Sequence, residues 1–172
     1  MSRIEKKGIE LNRIDVRRDN LELYYDFVES IKSRMEHPEW LGDFSYNELK
    51  DCLDNMSHIF LYESNGLLYA SSMIIPAREK DLVKFGLSDI PFTYVIDYGP
   101  EAVSEDVRGN GIQLHILEDM DQYARNLGYK YAVTTVHPDN KHCIRNMEKH
   151  GFTCIGTQEF SRGIRNIYKK DL

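Results

Sequence analysis

The chain has 172 residues with 28 acidic and 22 basic side chains, a formal charge of −6. That is enough length for a single domain whose core needs neither disulfide nor structural metal, and the acidic balance gives no support to a polyanion-wrapping surface. Cys52, Cys143 and Cys154 are odd in number and lack a paired short spacing, which argues against a disulfide framework or a zinc site and for a reducing compartment. The opening stretch MSRIEKKGIELNRIDVRRDN is too charged for a signal-peptide core, and no apolar run approaches the roughly 20 residues of a membrane span. The expectation is a cytoplasmic protein with neither nucleic acid nor membrane as partner.

Residues 9–16 read as a first strand. Asn20 is placed to cap a helix that presents Leu23, Phe27, Val28 and Ile31 and ends before Pro38. Ser45 with Glu48 three residues on forms a capping-box pattern for a second helix, to about Asn55, burying Leu49, Cys52 and Leu53. Residues 58–63 and 67–75 are strand-like runs, and Asn65-Gly66 between them supplies the positive φ values of a tight hairpin. The charged segment 77–89 reads as a loop or short helix, chiefly a solvated connection.

An apolar run from Phe92 to Val103 is followed by Arg108-Gly109-Asn110-Gly111-Ile112-Gln113. Apolar residues then recur at three and four, at Ile112, Ile116, Met120, Tyr123 and Leu127, up to Gly128. This is the order of a strand–turn–helix phosphate cradle. A helix start leaves its first amides without intrahelical partners and carries the positive end of the macrodipole, so a diphosphate across residues 109–113 could be held by backbone groups. Residues 131–136 read as a short strand. Pro138-Asp139-Asn140 starts another helix that buries Cys143, Ile144 and Met147 and stops before Gly151, and two strands close the chain around Ser161-Arg162-Gly163. Together these elements predict one α/β domain over residues 1–172, a mixed central sheet flanked by helices.

These motifs resemble the GNAT N-acetyltransferase superfamily. Its pattern is arginine or glutamine, two variable residues, glycine, one variable residue, then glycine or alanine. Arg108 and Gly111 hold the first two marked places, and Gln113 stands where the family has glycine or alanine. Asn140, Cys143 and Gly151-Phe152 match a second family motif, and the resemblance covers nearly the whole chain, most strongly residues 92–156. It implies the GNAT fold, acetyl-CoA as cofactor and direct acetyl transfer to a small-molecule primary amine, with a homodimer left open. It also implies cofactor contacts at Val103, Arg108, Gly109, Asn110, Gly111, Ile112, Gln113, Asn140 and Cys143, with a polarising backbone amide near Val103. Met147 stands where many members carry a tyrosine thought to protonate the departing thiolate, and methionine has no proton to donate. Another donor, solvent, a reaction needing little help, or an inactive fold each fits that departure.

Amine acetylation requires loss of the ammonium proton and polarisation of the acetyl carbonyl. The resemblance places the carboxylate base of some members at Asp97. Glu101 has the same strand parity, and Tyr98 points to the other face unless Pro100 marks a bulge. Each carboxylate equally fits a solvated or salt-bridged strand position. His137 and His142 flank a helix start, where surface or capping roles are commoner than proton relay. Cys143 reads as packing, and His115 and His150 lack metal-ligand spacing, so no metal is expected. Tyr24, Tyr25, Trp40, Phe44 and Tyr46 suit either an acceptor pocket or a core. The carboxylates Asp97, Glu101, Glu105 and Asp106 favour a cationic amine. Met147 and Gln113 keep a second class open, a non-catalytic acyl-CoA-binding or regulatory module on the same fold.

Overall fold

In the computed structural model, which describes residues 3–6 and 9–172, the elements follow in chain order. They are β1 (Arg3–Lys6), β2 (Ile9–Val16), α1 (Leu21–Lys32), α2 (Tyr46–Asp54), β3 (His58–Ser64), β4 (Leu67–Pro76), α3 (Glu79–Phe85), β5 (Val95–Tyr98), β6 (Ala102–Val103), α4 (Ile112–Asn126), β7 (Tyr131–Val136), α5 (Lys141–Lys149), β8 (Thr153–Phe160) and β9 (Gly163–Asp171). They form a mixed α/β fold, a central sheet flanked by helices. The chain divides into two units, one running to Ile75 and resuming over Gly99–Asp119, the other made of Pro76–Tyr98 and Met120–Leu172. Among the described residues, no helix is long and apolar enough to cross a membrane.

In the first unit β1, β2, β3 and β4 pair antiparallel in that order, and β6 adds to β4. Asn65 and Gly66 take φ of 52° and 80°, the left-handed pair that lets β3 turn directly into β4. Leu21, Tyr24, Val28 and Ile31 form the buried stripe of α1, clustered with Leu49 of α2 and with Ile59, Leu61, Met73 and Ala102 of the sheet. The stripe is thus phased on Leu21 rather than Leu23, which is 46% exposed. A helix beginning at Leu21 returns to the sheet at the third and seventh positions after it, and Leu23 falls between them. Asn20 also departs from expectation: its Oδ1 accepts the Arg17 amide at 2.6 Å and makes no cap bond to the helix. The capping box of α2 forms as expected, Glu48 N donating to Ser45 Oγ at 3.3 Å and Ser45 N to Glu48 Oε2 at 2.8 Å.

In the second unit β5 pairs parallel with β7, while β9 lies antiparallel to both β7 and β8. The segment expected as a solvated connection contains α3, whose Leu82 and Phe85 enter a core with Ala77, Val95, Val133 and Ile167. Its charged residues hid two apolar positions three apart, and Gly86, at φ 71°, ends the helix. Buried Asp121 of α4 accepts from Tyr98 Oη at 2.7 Å, lies 3.0 Å from His150 Nε2, and is paired with Lys170. Burial opposes its charge, yet the bonds from His150, Lys170 and Tyr98 together outweigh that cost and hold its carboxyl below the usual range.

Candidate functional site

The turn before α4 is built by backbone chirality. After a 3-10 turn at Glu105–Val107, Arg108 is extended, and Gly109 and Gly111 take φ of 76° and 70°, conformations that a side chain disfavours. The bond from His115 N to Gly111 O, at 3.4 Å, opens the helical ladder, so the amides of Ile112 and Gln113 lie ahead of it. Asn110 Nδ2 donates to Val107 O at 3.2 Å and braces the loop. A Cβ at Gly109 would meet nothing within 4 Å, so that flank of the turn is open. This donor set suits a diphosphate: amides at a helix start, the positive end of its dipole, and open space beside Gly109.

Val103 joins this cluster within the same unit. It sits opposite Ala70, and the next amide, Ser104 N, donates to Tyr69 O at 2.8 Å. Amides alternate sides along a strand, so the Val103 amide points away from β4. Arg108 Nε donates to the Val103 carbonyl at 3.3 Å, and the guanidinium lies 3.7 Å from Glu105. Arg108 therefore braces the turn against the strand.

The run 92–103 is not one strand. Phe92–Tyr94 is a 3-10 turn, β5 ends at Tyr98, and β6 starts only at Ala102. Parity counted from Asp97 to Glu101 therefore does not hold, because Gly99-Pro100-Glu101 leave the extended ladder. Glu101 is half-buried, with its Oε2 enclosed. Tyr98, the third catalytic candidate, is 2% exposed, and its hydroxyl donates to Asp121 at 2.7 Å, a clamping contact.

Asp97 lies on β5, whose parallel register with β7 runs Val95↔Tyr131, Ile96↔Ala132 and Asp97↔Val133. Burial pushes its carboxyl up to about 7, Asp81 adding to the rise and Arg78 opposing it. Arg78 Nε donates to Asp81 Oδ2 at 2.9 Å. Burial opposes the charge on Asp81, but the Arg78 bonds outweigh that and hold it ionised. Asp97 thus has a like charge as neighbour and the basicity of a neutral-pH proton acceptor.

Asn140 and Cys143 come together in the second unit, where Asn140 Oδ1 accepts the Cys143 amide at 3.2 Å and caps α5. Met147 is 3% exposed and part of the core. His137 Nδ1 accepts the Asp139 amide at 3.2 Å, a capping role, and exposed His142 sits beside Asn146. Of the early aromatics, Tyr24 is buried, while Tyr25 and Tyr46 meet edge-on at 5.7 Å and Trp40 stacks on His37 at 4.3 Å. Tyr24, Tyr25, Glu29 and Phe44 line a small hollow in the first unit. The reading from sequence missed Asp121 and Thr134. A visible signal existed for Asp121, an acid between Leu117 and Ala124 on the buried stripe of α4, which demands buried partners.

A glycine turn opening a helix beside a strand amide, on this α/β sheet, belongs to the class of folds able to cradle a diphosphate-bearing cofactor. Residues 21–152 match the model of the acetyltransferase (GNAT) family, and the chain belongs to that family. No curated protein matches it in sequence. Among solved structures it is similar to a GNAT-family acetyltransferase from Listeria monocytogenes, with TM-score 0.78 at 13% identity over 99% of this chain and 100% of that one. It is also similar to the GNAT domain of S. lividans PAT, with TM-score 0.76 at 15% identity over 99% and 96%. A third likeness is to yncA from Salmonella typhimurium, solved with its cofactor acetyl-CoA, with TM-score 0.68 at 15% identity over 94% of each chain. At such identities these likenesses establish the fold.

Proposed function

We propose that this chain is an acetyl-CoA-dependent N-acetyltransferase that moves the acetyl group directly to a small, cationic primary amine. The observation that carries the reading is the left-handed Gly109 and Gly111 turn opening α4, tied to Val103 through Arg108. Acetyl-CoA, when bound, supplies an activated acyl carbonyl and a thiolate leaving group. The amides of residues 109–113 bind its diphosphate, and Asn140 and Cys143 at the start of α5 provide further contacts. The Val103 amide, turned away from β4, donates to the acetyl oxygen as negative charge grows there. Asp97, with a carboxyl near 7, takes the ammonium proton directly or through water, and Glu101 is the alternative base. Carboxylates at these positions attract a cation, and the reaction fits a cytoplasmic setting where acetyl-CoA is made and used.

A non-catalytic acyl-CoA-binding module is favoured by one observation, the buried Met147 in place of a proton-donating tyrosine. Release of CoA thiol from acetyl-CoA across a panel of polyamines, amino-acid derivatives and peptide amines separates the two. Amine-dependent release supports the transferase. Tight CoA binding without release supports the module, and no binding removes both.

A further inference from the structure

We infer that Thr134 is a positioning residue for the transfer proposed above, its hydroxyl fixing where β5 parts from β7 and thereby where the Asp97 carboxylate stands. The inference rests on that proposed reaction for its consequence, and on four features of one unit for its geometry.

The parallel register of β5 with β7 stops at Asp97↔Val133, yet β7 itself continues to Val136, still paired with β9 through Val136↔Asn166. The parting therefore comes from β5 leaving, one residue beyond Asp97. At that residue the Tyr98 carbonyl accepts a hydrogen bond from Thr134 Oγ1 at 3.0 Å, in the buried interior. A side-chain hydroxyl reaches further from its strand than an amide does, so it can hold a carbonyl that is already diverging. The other end of Tyr98 is held as well, by its hydroxyl on Asp121, which His150 and Lys170 hold in turn. Tyr98 is thus clamped at carbonyl and phenol, and Asp97 is the residue immediately before the clamp. Its titrating neighbours are Asp81 of α3 and Arg78, the residue just before that helix, and a rotation of β5 changes its distance to both.

Thr134→Val keeps the branched shape and removes the hydroxyl, leaving the Tyr98 carbonyl buried without that donor. Thr134→Ser keeps the hydroxyl. The experiment follows the Asp97 side-chain carboxyl by carbon-13 NMR against pH in wild type and both variants, alongside acetyl transfer to the best amine of the panel. In Thr134→Val the Asp97 midpoint should move by roughly half a pH unit or more, and kcat should fall roughly tenfold, as for a misplaced base. The KM for acetyl-CoA should stay within about twofold. Thr134→Ser should return kcat to within about threefold of wild type and restore the midpoint. An unchanged Asp97 titration in folded Thr134→Val, or a change that Thr134→Ser fails to reverse, overturns the inference. Should Thr134→Val fail to fold, Thr134→Ala, with space for a water at the carbonyl, takes its place with the same expected shift. A wild type that acetylates no amine defeats the proposed function, while the Asp97 titration still decides the role of Thr134.

Discussion

Arg13 of β2 donates through one nitrogen, Nη1, to both carboxylate oxygens of Asp119 in α4, at 3.1 and 3.0 Å. Asp119 Oδ2 also accepts the buried Tyr62 hydroxyl at 3.0 Å, and the Arg13 guanidinium lies 4.7 Å from the Phe60 ring centre. The pair couples an outer strand of the first unit to the helix that carries the glycine turn at its start.

Asp119→Ala removes the carboxylate that a largely buried guanidinium and a phenol share but leaves Arg13 beside Asp15 at 3.4 Å and Tyr62 beside Ser72 at 3.2 Å, so it should cost about 2–3 kcal/mol of unfolding free energy. Tyr62→Phe removes one neutral donor and should cost only about 1–2 kcal/mol. Urea denaturation of both variants checks this, and equal losses would show that the arginine is indifferent to its carboxylate.

Gly111→Pro fixes φ near −65° where the chain holds 70° and deletes one amide donor. It should weaken acetyl-CoA binding by about two orders of magnitude in calorimetry, provided circular dichroism shows a folded protein. Arg108→Ala should lose only about tenfold, because its Nε is spent on the Val103 carbonyl. Unchanged affinity for Gly111→Pro would remove the diphosphate from the turn.

Asp97 has a carboxyl raised from 3.8 to about 7, so the folded state holds its proton more tightly than the unfolded chain does. The sign follows: this group's contribution to stability is fully present below pH 3.8 and is lost as pH rises through about 7. Asp97→Asn should flatten that decline, by at most about 4 kcal/mol between pH 4 and pH 8. In the proposed reaction the base form appears above about 7, so wild-type turnover should rise across that pH with an acid limb that Asp97→Asn lacks. Denaturant melts and rate–pH profiles at matched pH values test both halves.

Gly42 passes so close to Pro100 that a Cβ there would stand 2.4 Å from Pro100 Cγ. Gly42→Ala should therefore destabilise the first unit by about 1–3 kcal/mol through overpacking, with a matching fall in thermal midpoint. Loss of acceptor binding without loss of stability would instead place the Gly42 contact in substrate recognition.

Local signals carried much of the fold. Ser45 and Glu48 act across one helical turn, and Asn65-Gly66 across two residues, so propensity alone fixes them. The Gly109 and Gly111 turn was equally legible, since its conformation is set by missing side chains. What escaped was set by distant partners. Asn20 was diverted to the Arg17 amide, and α3 showed its two core residues only once a sheet stood beneath it. The break at Gly99-Pro100-Glu101 was visible as a proline, but not its effect on parity, because a strand end is defined by the pairing it loses. Thr134 looked like an ordinary β-branched strand residue. Only the diverging carbonyl of Tyr98 gives its hydroxyl a task.

Strand β8 closes one edge of the sheet, eight residues long, with nearly every side chain exposed. A straight edge of that length offers an even row of amides and carbonyls on which a stray chain can template itself. Its register with β9 skips from Cys154↔Tyr168 to Gly156↔Ile167, leaving Ile155 as an extra residue. The kink breaks the even spacing near the start of the edge and twists it out of plane, so an incoming strand finds no long matching run. Deleting Ile155 would straighten that edge, and filament growth at high concentration is the penalty to expect.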